Sequence, residues 1–145
     1  MSPINRFLRW LRSSEEDFET WIARQTKPPV HFNSIAVVDS PPANDVVAGM
    51  TFYVVTRKGS QRWALFSCPC GCRVVVTLSL QTIHRPNWKV RSSDERRPTL
   101  RPSVWRDVGC LSHFFVNDGR IYWCSDSGTS PLDFKPRYDG NRGQQ

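Results

Sequence analysis

Three cysteines stand at alternate positions in Cys68-Pro69-Cys70-Gly71-Cys72, and Gly109-Cys110-Leu111-Ser112-His113 answers them further along the chain. These two pieces hold four of the five cysteines and one of the three histidines. Thiols this close along a backbone are poor disulfide partners, because a bridge needs a set Cα separation and converging Cβ vectors. A soft divalent cation suits them better: zinc gathers four sulfur or nitrogen ligands into a closed tetrahedron of structural character. The expectation is a structural Zn2+ held by Cys68, Cys70, Cys72 and Cys110. His113 then either replaces one of the close cysteines as a ligand or stands beside the metal as a catalytic neighbour. Cys124, at the end of an expected strand, reads as a buried apolar residue and not as a ligand.

Zinc alone would make a binding module. A hydrolytic zinc keeps an open coordination position and works with a carboxylate. Neither a His-Glu-x-x-His helix nor the deaminase pattern of His-x-Glu followed by Pro-Cys-x-x-Cys occurs, which argues against both chemistries. Ser103, in Thr99-Leu100-Arg101-Pro102-Ser103, is the alternative carrier of chemistry. A serine nucleophile needs an imidazole within hydrogen-bond reach and a carboxylate to orient that imidazole. If four thiolates hold the metal, His113 is free to be the base, and Asp107, Asp118 and Glu95 are the candidate orienting carboxylates. Backbone N–H groups near Gly109 could face an oxyanion. The competing reading makes Ser103 a turn hydroxyl after a proline. Cys110 as a nucleophile is disfavoured, since an offset of three along a strand puts Cys110 and His113 on opposite faces. Arg85 and Trp88, in His84-Arg85-Pro86-Asn87-Trp88, form a candidate substrate-binding pair, with Arg85 reaching a carboxylate or phosphate.

The elements that must position these groups read as mostly β, of an α+β kind: a small antiparallel β domain, supported by zinc, behind an N-terminal amphipathic helix. Residues 1–29 form the helical arm, with Phe7, Leu8, Leu11, Phe18, Trp21 and Ile22 as its apolar stripe. Lys27-Pro28-Pro29 ends it. Residues 30–124 form the β domain, with strands expected at 35–38, 51–56, 62–67, 72–80, 113–116 and 120–123. Asp118-Gly119 is the turn signal of the last hairpin. Residues 125–145 read as a basic tail with a disordered end.

With 145 residues the chain has room for one modest core. A net charge of +7 and a pI near 9.6 raise anionic partners, nucleic acid among them. Arg85, Arg91, Arg96, Arg97, Arg101 and Arg106 concentrate that charge, yet no RNA-recognition or helix-turn-helix signature accompanies them. Arginines interrupt the apolar residues near the N-terminus, so no signal peptide is expected. No run approaches the roughly 20 apolar residues of a membrane span. Metal-like cysteine spacing points to a reducing cytoplasm.

Cys68-Pro-Cys-Gly-Cys72, Arg85-Pro-x-Trp88, Thr99-Leu-x-Pro-Ser103, Gly109-Cys-x-Ser-His-Phe114 and Gly119-Arg-Ile-x-Trp123 together resemble a small bacterial and phage family long catalogued as a domain of unknown function. Some of its members are encoded beside ubiquitin-like modifiers and their activating and conjugating enzymes. The resemblance spans residues 50–124. His84 departs from the basic residue the pattern has there. The resemblance implies a zinc-supported peptidase that processes or deconjugates a ubiquitin-like protein, with Ser103 and His113 as its catalytic pair. The activating and conjugating enzymes are then possible partners. The rival is a noncatalytic zinc module that binds nucleic acid or a protein through its basic surface.

Overall fold

The computed structural model describes residues 19–47 and 49–133. Among the described residues eight strands form two sheets. The first contains β1 (Ser34–Val38), β2 (Thr51–Arg57), β3 (Ser60–Ser67) and β4 (Val75–Ser79) in chain order. The second contains β5 (Lys89–Ser92), β6 (Pro98–Trp105), β7 (His113–Asn117) and β8 (Arg120–Trp123), again in chain order. Every pairing is antiparallel except that of β1 with β2, which is parallel.

The mostly β expectation holds, and the expected strands are present with shifted ends. Two further strands, β5 and β6, lie where the sequence reading has none. The reason is chemical. Pro98 and Pro102 fall inside β6, and proline, lacking an N–H, argues against a central strand on sequence grounds. The sheet accommodates them because Pro98 starts the strand and Pro102 lies in an irregularity of the β6–β7 ladder.

Alternation of side chains builds the core. Phe52 and Val54 of β2, Ala64 and Phe66 of β3, Leu100 and Val104 of β6, and Phe114 and Val116 of β7 all point inward, as residues two apart on a strand must. Phe52 stacks on Phe66 at 5.0 Å, and Phe66 meets Phe114 of the other sheet edge-on at 6.3 Å. Phe32, fully buried, packs edge-on against both Phe52 and Phe66. Each such ring contributes about 1.5–3 kcal/mol by leaving water.

Of the expected N-terminal helical arm, residues 19–23 are helical, residues 24–29 run on as turn and irregular chain, and residues 1–18 lie outside the described residues. Trp21 meets Tyr122 edge-on at 6.0 Å, and Glu19 pairs with Arg101 at 3.0 Å. This end of the helix therefore packs on the domain. Among the described residues no helix is long and apolar enough to cross a membrane.

The β7–β8 hairpin turns on Asp118 and Gly119, with φ of 50° and 70°, the left-handed pair that a two-residue turn requires. Arg97 grips Asp118 at 2.8 Å, and Ser93 donates to it at 2.5 Å. The backbone N–H groups of His31 and Phe32 both donate to the Gly119 carbonyl at 2.8 Å, so an entering segment lies flat on the turn. A Cβ at position 119 would sit 2.0 Å from the Phe32 carbonyl oxygen. Gly119→Ala should therefore lower stability by about 2–4 kcal/mol, from backbone strain and overpacking together. Denaturant midpoints of the two forms check this; equal midpoints would mean that the entering segment is not seated there.

Candidate active site

The β6–β7 ladder determines which side chains can meet. Leu100 pairs with Val116 and Val104 with Phe114, so β6 carries two more residues than β7 between these pairs. An even insertion preserves parity: Val104 still faces the core as Leu100 does. Ser103 and Trp105 consequently share the outer face of the sheet with His113, which pairs with Trp105. The bulge brings Ser103 diagonally opposite His113, and its hydroxyl lies 3.0 Å from the ring Nε2. The indole of Trp105 stacks on the His113 ring, parallel and 4.2 Å away.

The carboxylate that meets the ring is none of the three expected. Asp118 is engaged by Arg97 and Ser93 at the far hairpin, which holds its carboxyl below the usual range, chiefly through the Arg97 hydrogen bond. Asp107 and Glu95 lie exposed in turns. Asp126 fills the position, with Oδ1 2.5 Å from His113 Nδ1. It comes from the segment read as the start of a tail, which folds back over β7. Cys124 N–H donates to the His113 carbonyl at 2.9 Å, and His113 N–H donates to the Ser127 hydroxyl at 3.0 Å. Gly128 N–H reaches the Leu111 carbonyl at 2.8 Å, and the Trp105 indole N–H donates to the Thr129 carbonyl at 3.0 Å. A signal for Asp126 existed. In the expected hairpin Phe114 faces Trp123, so the next residue, 124, lies beside His113, and the nearest following carboxylate is Asp126.

Trp88 is half-buried against the core, and its indole N–H donates to the Ser103 carbonyl at 3.2 Å. It thus supports the strand that presents the hydroxyl. Arg85 is exposed on the same loop, and Gly109 is exposed in the β6–β7 loop. Neighbouring His84 points elsewhere, with Nδ1 2.6 Å from the Ser79 hydroxyl.

The cysteines converge as the spacing predicts. Cys68 directly follows β3; Cys70 and Cys72 lie on the turn beyond it, closed by Cys68 N–H to the Val74 carbonyl at 2.9 Å. Cys110 arrives from the β6–β7 loop, which Arg106 N–H closes on the Ser112 carbonyl at 2.9 Å. The sulfur of Cys68 lies 3.5 Å from that of Cys70 and 3.8 Å from that of Cys110. All four sulfurs fall within 4.8 Å of one another, and the group could hold a metal ion without His113. Burial pushes the Cys68 thiol up to about 12, so ionising it calls for a cation. The Cys124 thiol is likewise raised to about 12, by burial first and the Asp126 charge second, which leaves it a poor nucleophile.

A family model described as bacterial ubiquitination-like system serine protease (BubE) matches residues 37–124, more than half of the chain. The matched span includes Ser103, His113 and the four clustered cysteines and stops two residues short of Asp126. No curated protein and no solved structure matches the chain.

Two substitutions separate the roles of Cys110 and His113. Cys110→Ser should release the structural metal from the purified chain, whereas His113→Ala should retain one equivalent; elemental analysis per chain reads both. Less than one equivalent in the histidine variant would return that residue to the structural ligand set.

Proposed function

The chain belongs to the family of bacterial ubiquitination-like system serine proteases (BubE), and we propose that it hydrolyses the acyl bond at the C-terminus of a ubiquitin-like modifier, with Ser103 as nucleophile. One observation carries this reading: the unbroken run from the Ser103 hydroxyl to His113 at 3.0 Å and from His113 to Asp126 at 2.5 Å. Asp126 fixes the tautomer with the proton on Nδ1, which leaves the Nε2 lone pair facing the hydroxyl. As Ser103 Oγ attacks the carbonyl carbon, its proton passes to Nε2, and Asp126 stabilises the imidazolium that forms. The same proton then goes to the departing amine, leaving an acyl-enzyme. A water, deprotonated by His113 in turn, releases the modifier. Stacking on Trp105, worth about 0.5–1.5 kcal/mol for an aromatic pair, keeps the ring in this orientation throughout.

The substrate reaches the hydroxyl as an extended tail. β5 pairs with β6 only from Pro98 to Arg101, because Trp88 N–H bonds to the Ser79 carbonyl and turns the chain away. In this reading the tail lies along that side of β6 beyond Arg101, where β5 no longer pairs and the Trp88 indole N–H holds the Ser103 carbonyl. Exposed Arg85 stands on the adjoining loop, where a cation suits an acidic surface of the modifier.

The four cysteines hold a structural zinc in this reading. Four bonds of about 2.3 Å in a tetrahedron separate the sulfurs by about 3.8 Å, the spacing approached here. Such an ion would join the β3–β4 turn of one sheet to the β6–β7 loop of the other, three residues from His113. The nucleic-acid alternative is weakened by the arginines themselves: Arg97 is paired with Asp118, and Arg101 with Glu19 and Asn117.

The test uses a serine-directed fluorophosphonate and a modifier carrying a C-terminal extension. Wild-type protein should label and cleave, and Ser103→Ala should do neither. Asp126→Asn should retain the fold and lose about 10²–10⁴-fold in cleavage rate, because the amide favours the wrong tautomer. Equal cleavage by wild type and Ser103→Ala would overturn the assignment.

A further inference from the structure

Cys124 has no part in the proposed hydrolysis, yet its sulfur lies beside the groups that do. The Cys124 thiol, the His113 ring and the Asp126 carboxylate each place a ligand atom within 4.8 Å of the other two. This group shares no member with the four-cysteine group. Thiolate, imidazole and carboxylate are all zinc donors, at about 2.3, 2.0–2.1 and 2.0–2.2 Å, and three protein ligands leave a position for water. The backbone already holds them together. Cys124 N–H bonds to the His113 carbonyl at 2.9 Å, Ser127 N–H to the Cys124 carbonyl at 3.0 Å, and Thr129 N–H to the Asp126 carbonyl at 3.1 Å. Only short side-chain movements separate the present arrangement from a three-ligand site. The Asp126 side chain is 39% exposed, so an ion can enter from solvent on that side.

We propose that His113, Cys124 and Asp126 form a second, inhibitory zinc site. Its effect on catalysis rests on the hydrolytic reading; its capacity to bind metal does not. In the resting arrangement Nδ1 carries the imidazole proton, and Nε2 receives the hydroxyl. An ion bound to Nδ1 takes the lone pair there, so the imidazole keeps its one proton on Nε2. Cys124 gives its thiol proton to solvent, and one proton is released per ion bound. Nε2–H can then only donate to Ser103 Oγ, and the base is lost until the ion departs. Asp126 is withdrawn from orienting the ring by the same event.

The experiment uses the full chain already loaded with one equivalent of zinc. Zinc chloride is titrated in against a chromophoric chelator, and Ser103 labelling by the fluorophosphonate is followed in the same samples. Wild type should take up a second equivalent as its labelling rate falls at least tenfold. Cys124→Ala should take up none and show no fall over that range. A cadmium-113 NMR spectrum of wild type with two equivalents should show two resonances, one from an all-sulfur site and one from a mixed site. That measurement decides the matter even if Cys124→Ala does not fold. A single bound equivalent in wild type overturns the proposal, as does a second equivalent retained by Cys124→Ala. Should wild type alone bind the second ion while no form labels or cleaves, the metal site stands and the hydrolytic reading fails.

Discussion

Everything in the site depends on how firmly one imidazole is held. Ser103 and Asp126 meet the two ring nitrogens of His113, and Trp105 covers one face of the ring. The backbone of the same residue is tied at both ends, its N–H to Ser127 and its carbonyl to Cys124. A histidine with a side chain only 14% exposed and so many partners has few rotamers left. The loss of rotamer freedom is met during folding, by strand pairing and by the loop after β8, and not when a substrate binds. That is the physical content of preorganisation here.

The clamp uses parts from three places in the chain, and ordinary β-sheet geometry brings them together. Cross-strand pairing sets Trp105 against His113; an even-numbered bulge keeps Ser103 on their face; a two-residue turn returns β8 so that Cys124 comes alongside. What such a small sheet lacks is resistance to opening at its loop ends. The cysteine group lies at that weak point, bridging the end of β3 and the loop that leads into β7. A metal there would lend its binding free energy to folding. It would also fix the loop entering β7 without touching the reacting atoms. A metal there would thus be coupled to His113 through the backbone.

Much of this was legible in the residues. The cysteine spacing points to a group that could hold a metal, and Asp118-Gly119 to a hairpin that the structure forms in register. Ser103 and His113 were identified as a pair, and they lie within hydrogen-bond distance. Two things were obscured. Prolines at 98 and 102 masked β6, because the ladder's tolerance of proline depends on a bulge that no local pattern announces. Asp126 was masked by composition, since Cys124-Ser125-Asp126-Ser127-Gly128 has the small polar residues of a loop. Those same residues let the chain fold back tightly on β7. Loop composition reports backbone freedom in the unfolded chain and says little about where hydrogen bonds will place it.

The two metal-capable groups differ in a way that orders their occupancy. Four thiolates satisfy a soft or borderline ion completely, and the group binds without disturbing any hydrogen bond that orients His113. The group of His113, Cys124 and Asp126 offers one sulfur, and an ion there must first break the short bond between ring and carboxylate. Its affinity is lower by whatever that bond and the buried Cys124 thiol cost to open. On the proposed reading a structural ion would therefore be taken up first and given up last. An ion at the weaker group would then come and go at concentrations that leave the fold intact. If one metal supports the fold in this way, a second could restrain the proposed catalysis, because the same sheet registers that bring His113 to Ser103 bring Cys124 to His113.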